Sequence, residues 1–188
     1  MGIPAPVLDY VVEGSAGADV IDGTYLGDPE GDQVDAGDAA DGSDDDLIEA
    51  YGGNDTVSAG AGNDTVLGGD GDDLVDGGDG ADSLEGGAGN DAITTGEGEN
   101  TAFGGDGDDT LTGGSLFDIL SGGTGNDSLD GAAGDDVLSA GTGDDTLWGG
   151  AGNDVLFGEE GNDSALGGAG NDTLWGEAGN DTILGGLG

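Results

Sequence analysis

The chain has 188 residues and no lysine, arginine or histidine, and its 43 aspartate and glutamate residues give a formal charge of −43 at pH 7. No side chain can neutralise a phosphate, which argues against nucleic acids and anionic membrane surfaces as partners. Without cysteine there are no disulfides or thiolate metal sites, and without histidine there is no base for Ser–His or Cys–His catalysis.

Residues 1–40 differ from the rest of the chain. Met1–Glu13 has no basic residue and no long apolar run, so it does not resemble a cleaved secretory signal. Val7–Val12 is rich in β-branched residues and predicts a strand that caps one end of a solenoid, with a linker as the alternative. Gly14–Asp22 and Gly27–Asp35 are degenerate copies of the repeat that follows, and the residues that break their phase predict loops.

From residue 41 to residue 184 a nine-residue unit, Gly-Gly-x-Gly-(Asn/Asp)-Asp-x-apolar-x, is repeated sixteen times. One copy is Gly68–Asp76 and another is Gly167–Trp175. The glycine content and the period exclude helix. Each unit predicts a six-residue loop and then a three-residue strand with one inward apolar side chain, at position 8 of the unit. These predicted core residues are Ile48, Val57, Val66, Val75, Leu84, Ile93, Leu111, Leu120, Leu129, Leu138, Leu147, Leu156, Leu174 and Ile183.

The unit resembles the RTX (repeats-in-toxin) nonapeptide, whose known form is a calcium-binding parallel β-helix. The resemblance implies an all-β fold: a parallel β-roll (β-solenoid) with two facing sheets of short strands, two units per coil and about eight to ten coils. Residues 1–40 would form the capping strand and the degenerate repeats with their loops, and residues 41–188 the regular roll. The core of such a roll is a thin column of Val, Ile and Leu, so we expect that apolar burial alone does not fold the chain.

Position 6 of the unit carries the predicted metal ligands. Carboxylate and carbonyl oxygens suit Ca²⁺, whereas Mg²⁺ demands strict octahedral geometry and zinc or copper calls for His or Cys. In RTX proteins the ion lies between loops of successive coils, and the resemblance implies at most about 14 such ions here. Asp19 and Asp32 of the degenerate copies are further candidates. The predicted ligands are Asp46, Asp55, Asp64, Asp73, Asp82, Asp91, Asp109, Asp118, Asp127, Asp136, Asp145, Asp154, Asp163, Asp172 and Asp181.

Two units depart from the pattern. Thr95–Phe103 has Asn100 in place of the ligand aspartate and an alanine at the core position. Gly113–Ser121 has Leu116 and Phe117 where glycine and Asn or Asp are expected. The two loops are eighteen residues apart and therefore stack on each other, so the sequence predicts a gap between them that is poor in calcium. Neutral variation in a tolerant array is the alternative.

The outward position 9 is mostly polar in early units and apolar in late ones. The late residues are Trp148, Phe157, Leu166, Trp175 and Leu184. Exposed apolar rows often mark contact sites, so we expect this surface, or the chain ends, to allow self-association or contact with another segment. The alternative is packing that merely shields the sheet.

The repeat favours a calcium-binding RTX module of a secreted protein, which stays open at low cytosolic calcium and folds on binding several ions outside the cell. The alternative is a self-assembling structural component, such as a fibre, surface-layer or adhesin segment, that stacks through the uncapped ends of the solenoid. An enzyme is not expected, because a two-sheet rod offers paired carboxylates no cleft in which to act. We expect calcium ions as partners and an extracellular or cell-surface location.

Overall fold

The computed structural model describes residues 11–13, 17, 20–21 and 45–188. These residues form β-strands and no helix. The strands are β1 Val11–Glu13, β2 Val20–Ile21, β3 Leu47–Glu49, β4 Thr56–Ala61, β5 Thr65–Asp70, β6 Leu74–Asp79, β7 Ser83–Ala88, β8 Ala92–Thr94, β9 Thr101–Asp106, β10 Thr110–Thr112, β11 Ile119–Thr124, β12 Ser128–Asp130, β13 Val137–Thr142, β14 Thr146–Ala151, β15 Val155–Glu160, β16 Ser164–Ala169, β17 Thr173–Trp175 and β18 Thr182–Leu187.

The strands alternate between two parallel sheets of nine strands each. The odd-numbered strands form sheet A and the even-numbered strands form sheet B, in chain order in both cases. From β3 onward paired residues of neighbouring strands are eighteen positions apart, as Val66 and Leu84 are. Two nine-residue units therefore make one coil, and the predicted all-β parallel β-roll is confirmed.

The described residues near the N-terminus extend both sheets. Val11–Glu13 pairs with Leu47–Glu49 in sheet A, and Val20–Ile21 pairs with β4 in sheet B. Ile21, from the first degenerate copy, is fully buried and lies in register with Val57. The earlier part of the predicted capping strand and the second degenerate copy lie outside the described residues.

Most strands are longer than the sequence predicted. Strand β5 runs through positions 7–9 of one unit and positions 1–3 of the next. In it, Gly69 pairs with Gly87 and Asp70 with Ala88, so the first residues of a unit continue the sheet. The prediction of a three-residue strand was wrong for most units because the two leading glycines were assigned to the loop. Short strands do occur, for example β8 and β10.

Two rows of residues point inward, at position 8 and at position 1 of each unit. The position 8 residues from Ile48 to Ala165 are buried, including Ala102, an alanine where most units have Val, Ile or Leu. Position 1 holds small residues, among them the buried Ala50. Ile183 was predicted to be in the core, but it is 45% exposed, because β18 is the edge strand of sheet B.

The turns between strands bring the backbones of successive coils into close contact. Gly69 and Gly71 have φ values of 111° and 136°, in the region that L side chains rarely adopt. A Cβ atom on either glycine would overlap a carbonyl of the preceding coil, that of Tyr51 or Gly53 respectively. The glycines therefore allow the stacking that places successive turns directly above one another.

Candidate metal centre

The position 6 residues stand in two stacks, one at each edge of the roll. Nearly all are buried, and between Asp46 and Asp163 their exposed fractions do not exceed 7%. Loop column 1 is defined by Asp55, Asp73, Asp91, Asp109, Asp127, Asp145, Asp163 and Asp181, and loop column 2 by Asp46, Asp64, Asp82, Asn100, Asp118, Asp136, Asp154 and Asp172.

From Asp64 onward, one oxygen of each stacked carboxylate accepts a hydrogen bond from the backbone of the neighbouring coil. The N–H of Asp73 donates to Oδ1 of Asp91 over 2.8 Å, and the N–H of Asp91 donates to Oδ1 of Asp109 over the same distance. The same bond recurs along both columns, for example from Asp136 to Asp154 at 3.0 Å. Because Oδ1 is fixed in this way, the position 6 carboxylates from Asp64 onward are oriented alike.

In ten of the position 6 aspartates the second oxygen is buried and has no hydrogen-bond donor. Burying a charged oxygen without a partner costs several kcal/mol at least, so these atoms require either a proton or a cation. A row of such atoms is the strongest sign of missing positive charge in the described part of the chain. Oδ2 is buried and accepts no hydrogen bond in Asp73, Asp82, Asp91, Asp109, Asp127, Asp136, Asp145, Asp154, Asp163 and Asp172.

Backbone carbonyls of the next coil approach these oxygens. A Cβ atom built on Gly68 would lie 2.6 Å from Oδ2 of Asp73 and 2.5 Å from the carbonyl oxygen of Gly86. The two oxygens thus converge on one small space between successive turns. Among the described residues, no three acidic side chains converge to hold a metal ion. A cation between the turns would therefore be bound by few carboxylates together with carbonyl oxygens, a donor set that fits Ca²⁺.

The raised pKa values of the aspartates in both columns also indicate that positive charge is missing. Burial raises the pKa of Asp109 and Asp136 to about 7, against hydrogen bonds that lower it, and the stacked carboxylates add to the rise. Burial likewise raises the pKa of Asp82, Asp91 and Asp145 to about 6. Carboxylates that resist ionisation without a counter-charge lie at the same positions that the repeat assigns to metal ligands.

These repeats are matched by a family model described as the RTX calcium-binding nonapeptide repeat (4 copies). The matches cover residues 11–24, 27–66, 41–75, 67–102, 76–111, 85–120, 103–138, 112–147, 130–165 and 157–188. The chain belongs to this RTX family. Comparison with curated protein sequences gave no match. In the part of the chain that the structure describes, no helix is long and apolar enough to cross a membrane.

Position 5 of the RTX unit forms a second ladder, on the exposed side of the turns. In loop column 1 its residues alternate between amide and carboxylate for most of the column, as in Asn90, Asp108, Asn126 and Asp144. The N–H of Asn126 donates to Oδ1 of Asp108 over 2.7 Å, and the N–H of Asp144 donates to Oδ1 of Asn126 over 2.9 Å. These carboxylates are exposed and hydrogen-bonded, so unlike position 6 they need no cation.

The two irregular units form an exception in loop column 2. Asn100 is buried at the ligand position, with its Oδ1 accepting from the N–H of Asp82 over 2.8 Å. Asp118 is also buried, but its Oδ2 accepts from the N–H of Gly114 over 2.7 Å. The sequence identified both units as irregular. It gave no signal for the Gly114 hydrogen bond, which depends on the path of the loop.

Asp181 stands in loop column 1 and is partly exposed, whereas Asp19 and Asp32 lie outside the described residues.

On the outer surface of sheet A, the rings of Phe157 and Trp175 stack with centroids 4.8 Å apart and an interplanar angle of 11°. On sheet B, Trp148 and Leu184 are more than half exposed, and Leu166 lies between them.

Proposed function

We propose that this chain is a calcium-binding RTX module of a secreted protein, which folds when several calcium ions bind outside the cell. The observation that carries the proposal is the row of buried Oδ2 atoms without a hydrogen bond, such as those of Asp91 and Asp109, each beside a turn of the next coil. Calcium supplies the positive charge that these oxygens lack. All the predicted position 6 aspartates are proposed as ligands except Asp118, whose second oxygen already has a donor.

The net charge explains why folding and binding are coupled in this proposal. A chain with charge −43 and no cationic side chain repels itself, and its thin core provides little opposing stabilisation. Ligand that binds only the folded state adds its binding free energy to folding. Extracellular calcium sites of about 10⁻⁴–10⁻³ M affinity are still filled in that environment, while low cytosolic calcium leaves the chain open.

The test is a calcium titration followed by far-UV circular dichroism. We expect a coil spectrum at neutral pH without metal, a cooperative rise of strand signal at about 10⁻⁴–10⁻³ M Ca²⁺, and reversal by chelator. Mg²⁺ is the control and is expected to have little effect, since it loses its water ligands reluctantly. A chelated chain that keeps its full strand content at neutral pH would refute the proposal.

A second candidate function is self-association through the outward apolar residues, which the exposure of Trp148 and Leu184 favours. Size analysis in calcium separates the two, since a discrete monomer contradicts assembly and filaments support it. The variant Trp148→Ser, made with Leu184→Ser, should abolish any such filaments.

A further inference from the structure

We propose that loop column 2 contains one interruption that binds no calcium, because groups of the protein itself occupy the place of the ion. It is formed by the units Thr95–Phe103 and Gly113–Ser121. The inference rests on the proposed function for the remaining turns, because an interruption has meaning only in a column that otherwise binds ions.

The first element of the interruption is the side-chain amide of Asn100. Its Oδ1 accepts the N–H of Asp82, as the Oδ1 atoms of the aspartates accept the corresponding N–H groups. Nδ2 therefore occupies the place that Oδ2 has in other turns. It is buried, and it makes no hydrogen bond of normal geometry. An amide nitrogen is a donor without acceptor capacity, so it presents partial positive charge where a cation would need a ligand.

The second element is Thr95 at position 1 of the same unit. From residue 50 onward this position otherwise holds glycine or alanine. A Cβ atom on Gly77, which holds the same position two units (one coil) earlier, would lie 2.6 Å from Oδ2 of Asp82 and 2.5 Å from the carbonyl oxygen of Thr95. Thr95 carries Cβ and two more heavy atoms at the equivalent place, is fully buried, and has an Oγ1 without a hydrogen bond. Its side chain fills space that is open in the glycine units.

The third element is the hydrogen bonding of Asp118. Its Oδ1 accepts from the N–H of Asn100 over 2.9 Å, and its Oδ2 accepts from the N–H of Gly114 over 2.7 Å. Both oxygens are therefore satisfied by the protein, whereas Oδ2 of Asp136 in the next turn of the column is not. The loop takes a different path here, since Gly114 lies outside the left-handed region that Gly123 adopts.

Together these features divide loop column 2 into two calcium-binding blocks, one from Asp46 to Asp82 and one from Asp136 to Asp172. Loop column 1 has a carboxylate in every turn from Asp55 to Asp181 and is continuous. Across the interruption the coils remain in register through strand pairing, as Leu111 pairs with Ile93 and with Leu129. This part of the roll is thus held by hydrogen bonds and core packing instead of ions on one side.

The experiment counts calcium ions per chain at saturating calcium, by native mass spectrometry and flow dialysis, with circular dichroism to verify folding. Asp118→Asn should leave the count unchanged, whereas the matched change Asp136→Asn, in the same column, should lower it by at least one ion. Equal losses in the two variants would overturn the interruption.

A gain of binding provides the second arm. The double variant Thr95→Gly with Asn100→Asp restores the regular unit and should bind one more ion than the parent. The control Asn90→Asp makes the same charge change at an exposed position 5 and should add none. No gain in the double variant overturns the inference, and this arm decides alone where Asp136→Asn fails to fold. A parent chain that binds no calcium would instead refute the proposed function.

Discussion

The two neighbouring polar residues of each turn have opposite environments, although both are often aspartate. Asp109 is buried with an Oδ2 that makes no hydrogen bond. Asp108 is exposed, and its Oδ1 accepts from the N–H and from Nδ2 of Asn126 over 2.7 Å and 3.0 Å. The buried carboxylate of Asp109 thus needs a counter-charge, whereas that of Asp108 is hydrated and hydrogen-bonded, so equal substitutions at the two positions should have unequal effects.

We predict that Asp109→Asn weakens calcium binding at its site at least tenfold, since loss of even an indirect support of a metal ligand costs about 10–100-fold. The amide keeps the hydrogen bond from Asp91 but removes the anionic oxygen, so the calcium midpoint of folding should rise. Asp108→Asn is the matched control and should change the midpoint little. Calcium titration by circular dichroism measures both, and equal shifts would contradict the assignment of roles.

At the scale of the strand, alternation decides which apolar residues matter. Leu84 in β7 is fully buried, whereas Leu74 in β6 is 51% exposed on the outer face. The core between the two sheets is a thin column of side chains. A truncated side chain therefore leaves a gap that the coils above and below cannot close. Position along the strand, and not hydrophobicity, therefore sets the contribution of each leucine.

We predict that Leu84→Ala lowers the free energy of unfolding of the calcium-saturated chain by about 2–5 kcal/mol. Leu74→Ala removes the same atoms from the surface and should cost less than about 0.5 kcal/mol. Urea unfolding at fixed, saturating calcium measures the difference. Similar losses in the two variants would show that the inward row is not the core.

The nine-residue period correctly predicted those features that are determined within a single unit or by the repeat length. It fixed the inward position 8, the register of eighteen residues and the phase of the buried aspartates. It failed where a property depends on the neighbouring coil. Strand β5 extends through Gly69 because that glycine pairs with Gly87, and Ile183 is exposed because β18 is the edge strand of its sheet. The Gly114–Asp118 hydrogen bond likewise follows from a loop path that the sequence pattern does not encode.

At the scale of the whole molecule, stability depends on how the buried carboxylates are neutralised. Without metal, protonation is the alternative to a cation. The pKa of an aspartate in an unfolded chain is about 3.9. In the fold, burial raises the pKa of Asp109 and Asp136 to about 7 and that of Asp82, Asp91 and Asp145 to about 6. Between these values the folded state binds more protons than the unfolded state.

The sign of the pH dependence follows from this difference. The stabilisation by protons is complete below the unfolded pKa, near pH 4, and is lost as the pH rises through the folded values of about 6 and 7. We therefore predict that the chelated chain gains strand signal when the pH is lowered from 7.5 to about 5. That endpoint stays above the isoelectric point of about 4.1, where a chain without net charge would associate.

With calcium the dependence should be reversed, because protons compete with the ion for the same oxygens and the calcium midpoint should rise as the pH falls. Asp109→Asn tests this link at one site, since an amide resembles the neutral carboxyl. It should favour the chelated fold at pH 7.5 while disfavouring the calcium-bound one, so that one substitution has opposite signs in the two states. Circular dichroism in chelator and in calcium measures both. The same sign in both states would show that the charge of this carboxylate does not govern folding.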